Sequence, residues 1–324
     1  MRRSYGKSQL RLLVFAAIGC GAALATLAVP GPAAADTSRL ITRFYQTQGA
    51  DAVLFNPTGT LLYLPTMRAV DVVSIPKLKF VDSIRNTEIP KSGAISPDGK
   101  RIYLSSALED RITVVDLVKR RTISTIGVCS VPTSMVVSPT GKRVYASCGN
   151  GAALAVVDPK LRKMTDKILV GLRPEGLAIS ADGSRVFVAN GESDSISVID
   201  TKSNKEITTI PAPGPYSIAT TPDGSRLYVS CGDGVWVIDV ASKAPVAKVT
   251  VPRATDVALS PDGTRLYVAA HGVAVIDTSA NTLLGTIGLQ GRNSYEIAVN
   301  PDGRTVAVMA DGYVYLVDVA GYAG

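Results

Sequence analysis

The chain has 324 residues, 46% of them hydrophobic and 19% charged, with a formal charge of +7 and a single histidine. The apolar content is ample for a packed core. One imidazole excludes the multi-histidine ligand sets on which zinc, copper and haem sites usually depend.

Residues 1–35 read as an export leader: Met1 to Arg11 is basic, Leu12 to Val29 is apolar, and Ala33-Ala34-Ala35 offers a small-residue cleavage site. A transmembrane anchor is the competing reading, since the apolar run is about as long as a short span. Gly19, Gly21, Pro30 and Pro32 favour a cleaved segment, so no stable membrane span is expected afterwards. Arg2-Arg3-Ser4-Tyr5-Gly6-Lys7 partly resembles a twin-arginine signal, with glycine where leucine is usual. Lipid attachment at Cys20 is not expected, because Ala17 stands where the lipoprotein box needs leucine. Arg2, Arg3, Lys7 and Arg11 belong to the leader, and taking their four charges from the total leaves +3. With no basic arm or helix in the mature chain, nucleic acid is not an expected partner.

From Asp36 onward one unit repeats. A turn recurs at Asn56-Pro57-Thr58-Gly59, Ser96-Pro97-Asp98-Gly99, Ser138-Pro139-Thr140-Gly141, Ser180-Ala181-Asp182-Gly183, Thr221 to Gly224, Ser260 to Gly263 and Asn300 to Gly303. The glycines lie 39 to 42 residues apart, which leaves no room for a second domain in residues 36–324. Each unit holds four apolar stretches of strand length with period-two alternation, as in Leu177 to Ile179, Val186 to Val188, Ile196 to Ile199 and Ile207 to Ile210. Four short antiparallel strands in about 40 residues specify a propeller blade. The fold expected is all-β, a single seven-bladed β-propeller.

The seventh unit ends soon after its third strand. Ile41-Thr42-Arg43-Phe44 sits 12 residues ahead of Asn56, just as Ile126 of a fourth strand sits 12 ahead of Ser138. The mature N-terminus, about residues 41–46, is therefore expected to complete blade seven and close the ring.

Ser96-Pro97-Asp98-Gly99-Lys100-Arg101-Ile102-Tyr103-Leu104, Arg226-Leu227-Tyr228-Val229 and Arg265-Leu266-Tyr267-Val268 resemble the first half of the YVTN β-propeller repeat. Val114-Val115-Asp116, Val156-Val157-Asp158, Val198-Ile199-Asp200, Val237-Ile238-Asp239 and Val275-Ile276-Asp277 resemble its second half. The resemblance covers essentially all of residues 36–324. Ser74 replaces the terminal aspartate in blade one, and Thr305-Val306-Ala307-Val308 lacks the aromatic in blade seven. It implies a fold and leaves function open, since the matching residues are turn formers and sheet packers. Propellers of similar repeat include lactonases and cofactor-bearing oxidoreductase subunits, which makes an enzyme the alternative reading.

Function is sought where blades differ. Five residues before each turn stand Asp51, Lys91, Thr133, Glu175, Tyr216, Thr255 and Tyr295; four before stand Ala52, Ser92, Ser134, Gly176, Ser217, Asp256 and Glu296. These positions begin the innermost strands and surround the channel mouth. Arg173, Arg253 and Arg292 lie just ahead of them in blades four, six and seven. One reading gathers the three guanidinium groups and Lys91 around an anionic ligand, with Tyr216 and Tyr295 as walls. The plainer reading pairs the arginines with Glu175, Asp256 and Glu296. A calcium site from Asp51, Glu175, Asp256 and Glu296 is a weaker third.

His271, in Ala270-His271-Gly272, is expected to form a hairpin turn and not a catalytic group. Cys148 and Cys231 occupy equivalent places in blades three and five, too far apart to bond. Cys129 leads into the same blade as Cys148, so a Cys129–Cys148 disulfide is expected, against three buried thiols as the alternative. The loops between second and third strands are expected to be longer in blades two to four than in five to seven. The reading is an exported, non-catalytic, monomeric propeller needing neither metal nor cofactor, which binds a protein partner or a small anionic ligand at its channel face.

Overall fold

In the computed structural model, residues 39–45, 52–85, 90–106, 108–289 and 292–322 are described. Residues 1–35, with Cys20, and Asp51 lie outside them. There are seven four-stranded antiparallel sheets, and in six of them one repeat supplies all four strands in sequence order. Blade four is Pro174–Ile179, Arg185–Asn190, Ser195–Asp200 and Lys205–Pro211, from the channel outward. Beyond strands, a short 3-10 turn covers Ala320–Tyr322.

A single blade has two apolar faces and cannot bury either alone, so the core lies between blades. Tyr145, Leu154 and Val156 of blade three pack with Leu177, Val186 and Val188 of blade four in one cluster. Tyr103, Tyr145, Phe187, Tyr228 and Tyr267, one per second strand, are all fully buried. Blade seven has Ala307 in that place, and Tyr315 on its third strand fills the interface with blade six beside Tyr267 instead.

The repeated turn has two purposes. Within blade four, Ser180 Oγ donates to Asp182 Oδ1 (2.6 Å), Arg185 N donates to Ser180 Oγ (3.0 Å) and Gly183 N donates to Ser180 O (2.8 Å). Between blades, Gly99, Gly141, Gly183, Gly263 and Gly303 lie against the preceding turn's proline. A Cβ on Gly183, whose φ is +72°, would stand 3.0 Å from Pro139 Cδ, and one on Gly263 3.0 Å from Pro222 Cδ. Glycine is needed there both for its positive φ and for that close approach.

Leu40–Tyr45 pairs antiparallel with Tyr313–Asp318, with Phe44 opposite Val314, so the N-terminal strand completes blade seven. The seam is further tied by Asn300 Nδ2 donating to Gly59 O (3.1 Å) and by the Arg39 guanidinium stacked 4.5 Å from the Tyr322 ring.

His271 is the single residue between Arg265–Ala270 and Gly272–Asp277, with Gly272 at φ +94°, so it supplies the hairpin turn. The loop lengths correct one expectation. Blade five's second-to-third connection, residues 231–234, is four residues long like those of blades two to four; only blades six and seven are short, at one and two. Gly232 at φ +51° shapes this longer turn.

Candidate functional site: the channel mouth

Cross-blade hydrogen bonds fix the mouth. Thr133 Oγ1 donates to Pro174 O (2.9 Å), Ser147 Oγ to Glu175 O (2.7 Å), Gly176 N to Tyr216 O (2.8 Å), Ser230 Oγ to Thr255 O (3.0 Å) and Thr255 Oγ1 to Ser294 O (3.0 Å). Hydroxyl side chains thus join blade three to four, five to six and six to seven, and a backbone bond joins four to five, beside the variable residues.

Inside this ring is a cavity of about 350 Å³. Lys91, Glu175, Tyr216, Asp256, Tyr295 and Glu296 all line it, together with Ser92, Thr133, Ser134 and Ser217. Its floor is Leu177, Ile218, Val257 and Ile297, three residues before the respective turns. A polar wall over an apolar floor is the usual make-up of a small-ligand pocket.

The arginines do not converge there, so the three-guanidinium cluster that one reading of the sequence offers is not formed. Arg173 Nε donates to Glu175 Oε1 at 2.8 Å, with Glu192 3.8 Å from its Nη1. That bond to Glu175 raises the arginine's already high pKa and keeps it in place. Arg173 lines a second cavity of about 590 Å³ between the mouth loops of blades three and four, which shares Lys91, Thr133 and Glu175 with the first. Arg292 turns outward, 3.5 Å from Asp311 Oδ2 and 5.1 Å over the Tyr313 ring. Arg253 is exposed at φ +59° and forms no ion pair among the described residues. Of the pairings in the plainer reading, that of Arg173 with Glu175 is present. The reason is local: a mouth loop lets its side chain leave on either side, and an acid within reach decides.

Asp256 is the unusual acid. Its Oδ1 accepts from Ser217 Oγ (2.6 Å) and its own strand's Val257 N (2.9 Å), while Oδ2 accepts from Ile297 N (2.9 Å). One carboxylate thereby ties blades five, six and seven. No lysine or arginine among the described residues pairs with it. Burial pushes its carboxyl above the usual range, outweighing the three hydrogen bonds that pull it down.

Among the described residues no group of three or more acids, cysteines or histidines is placed to hold a metal ion, so the calcium arrangement is not formed there. Cys129 and Cys148 form a disulfide, with Cα atoms 5.6 Å apart, bracing one wall of the second cavity. Cys231 is a buried free thiol pushed up to about 12 by burial, which makes it unreactive.

Sequence reasoning passed over the second cavity, with Asn150, Leu172 and Glu192 on its walls. Three of its lining residues, Val131, Ala152 and Arg173, have φ of +51°, +42° and +50°, a backbone shape that no turn signature announces in such residues.

The fold and its mouth define the class: a seven-bladed β-propeller with a small polar cavity at one end of its channel. Among solved structures, a chain of hydrazine synthase from Kuenenia stuttgartiensis is similar, with a TM-score of 0.75 and 19% sequence identity over 85% of this chain and 96% of that one. At that identity the likeness shows the fold alone. With 1820 solved chains matching, the architecture is too widely used to carry a function. No protein-family model matches the sequence, and no curated protein matches it.

Proposed function

We propose that this protein is an exported propeller of the YVTN kind that works as a non-catalytic binding module, holding a ligand or a partner's side chain at the channel mouth. The observation that carries this reading is the coincidence of variability and cavity. Six residues that differ from blade to blade, Lys91, Glu175, Tyr216, Asp256, Tyr295 and Glu296, line one pocket, while the residues that repeat build turns and interfaces elsewhere. Export, by a twin-arginine or a general signal, rests on residues 1–35. Among the described residues no helix is long and apolar enough to cross a membrane.

The test is chemical. Protein purified from its own host is analysed for metals, for an ultraviolet-visible spectrum and for co-purifying molecules. The binding-module reading expects protein absorbance alone and a ligand or partner that is displaced by substitutions at Tyr216 or Glu296. A stoichiometric metal or a cofactor band would overturn it in favour of an enzyme. A fusion of residues 1–35 to a reporter tests export separately; retention in the cytoplasm would refute that part.

A further inference from the structure

The lining is electrically lopsided. Lys91 belongs to blade two and the Arg173–Glu175 pair to blade four, whereas the sector formed by blades five, six and seven contributes Tyr216, Ser217, Asp256, Tyr295 and Glu296. That sector lines the cavity with two carboxyl groups and no base. Asp256 is half-buried in the cavity lining, where its neighbours supply three hydrogen bonds but no positive charge among the described residues. A carboxylate in such a place is costly to ionise until a cation arrives beside it.

Resting on the reading of the mouth as a ligand site, we propose that its ligand is a small organic cation, a protonated amine seated over Asp256 and flanked by Tyr216 and Tyr295. The ammonium group supplies the counter-charge that Asp256 lacks and is also drawn by Glu296. Tyrosines on the two neighbouring blades offer aromatic faces that attract a cation and repel an anion. An anion entering here meets Glu175, Asp256 and Glu296 with Lys91 as the basic lining residue across the channel. A neutral ligand leaves Asp256 without charge compensation. The apolar floor of Ile218, Val257 and Ile297 accommodates the carbon body of the amine.

Burial raises the Asp256 carboxyl, and an ammonium beside it pulls that value down again by favouring the ionised form. The other titratable groups facing the cavity are Lys91, Glu175, Tyr216, Tyr295 and Glu296. Binding at a pH below the raised Asp256 value therefore releases a proton.

The test is calorimetric titration of the full mature protein with benzylamine, benzyl alcohol and benzoate, in two buffers of different ionisation enthalpy. Benzylamine is expected to bind about tenfold or more tightly than either isostere, with proton release at pH values below that of the Asp256 carboxyl. D256N is expected to abolish that preference, and E296Q, which leaves the Asp256 hydrogen bonds in place, to reduce it. K160Q on a distant hairpin is expected to change nothing. Thermal melting of each variant reports whether it has folded. Tighter binding of benzoate or benzyl alcohol, or an amine preference unchanged in both folded D256N and folded E296Q, overturns the cation proposal and leaves the ligand site standing. Binding of none of the three by the wild-type protein overturns the small-ligand reading of the mouth as well.

Discussion

The two ends of the channel use aspartate in opposite ways. At the turn end, Asp98, Asp182, Asp223 and Asp262 each accept from a Ser or Thr hydroxyl two residues earlier and a backbone N–H two residues later. Those donors hold the carboxyls below their ordinary range, Asp182 and Asp223 down to about 2. At the mouth, Asp256 accepts comparable hydrogen bonds and yet is pushed up, because it is buried in the channel lining. The same residue type titrates low where exposed turn donors hold it and high where it sits in the channel lining. Repetition marks the first use and singularity the second.

The largest test of the repeated framework is its closure. Deleting residues 39–45 removes the strand carrying Phe44 and exposes the edge of Tyr313–Asp318; stability is expected to fall by about 4 kcal/mol or more in denaturant unfolding. An unchanged unfolding midpoint would mean that the ring does not need its seam. Next in size is the disulfide bracing blade three. Replacing Cys129 and Cys148 by serine is expected to cost about 2–4 kcal/mol. Thiol counting on denatured, unreduced protein cleaved after Ala35 should find Cys231 alone; three free thiols contradict the bond.

Smaller effects sharpen the contrast between the two kinds of aspartate. D256A leaves Ser217 Oγ and Ile297 N without their acceptor, an expected loss of about 1–3 kcal/mol. Gly183→Ala forces a side chain into φ +72° against Pro139 and is expected to cost about 1 kcal/mol. The pH dependences should have opposite signs. Asp182 and Asp223 titrate lower in the folded chain than the unfolded value of about 3.9, so their contribution is present above that value and is lost as pH falls toward about 2. Asp256 titrates higher when folded, so its contribution is full below about 3.9 and is lost as pH rises through its raised folded value. In melting curves across pH, D256N should flatten the less acidic limb and D182N the acid limb. A single slope shared by all three proteins would break the distinction.

Much of the framework was legible because its signals are local and repeated. Asp-Gly turns, alternating valines and a fixed spacing specify blades without long-range information, and the 12-residue offset of Phe44 from Asn56 foretold closure. The channel positions were legible by counting from the turns, which brought Lys91, Glu175, Tyr216, Asp256, Tyr295 and Glu296 together. What failed was side-chain direction. Arg292 finds Asp311 and Tyr313 on its own blade's outer hairpin, and nothing in the local sequence of a mouth loop says which way its guanidinium leaves. The depth of Asp256 was equally hidden, since Thr255-Asp256-Val257 reads like any polar strand start.

The central claim is that the repeated residues build the ring and the differing ones hold a ligand at its mouth. It is tested most directly by a crystal structure of the protein purified from its own host. The account predicts density for a bound molecule in the cavity beside Tyr216, Asp256 and Tyr295. A water-filled mouth, with the co-purified ligand seated on the turn face among the repeated Asp-Gly residues, would contradict it.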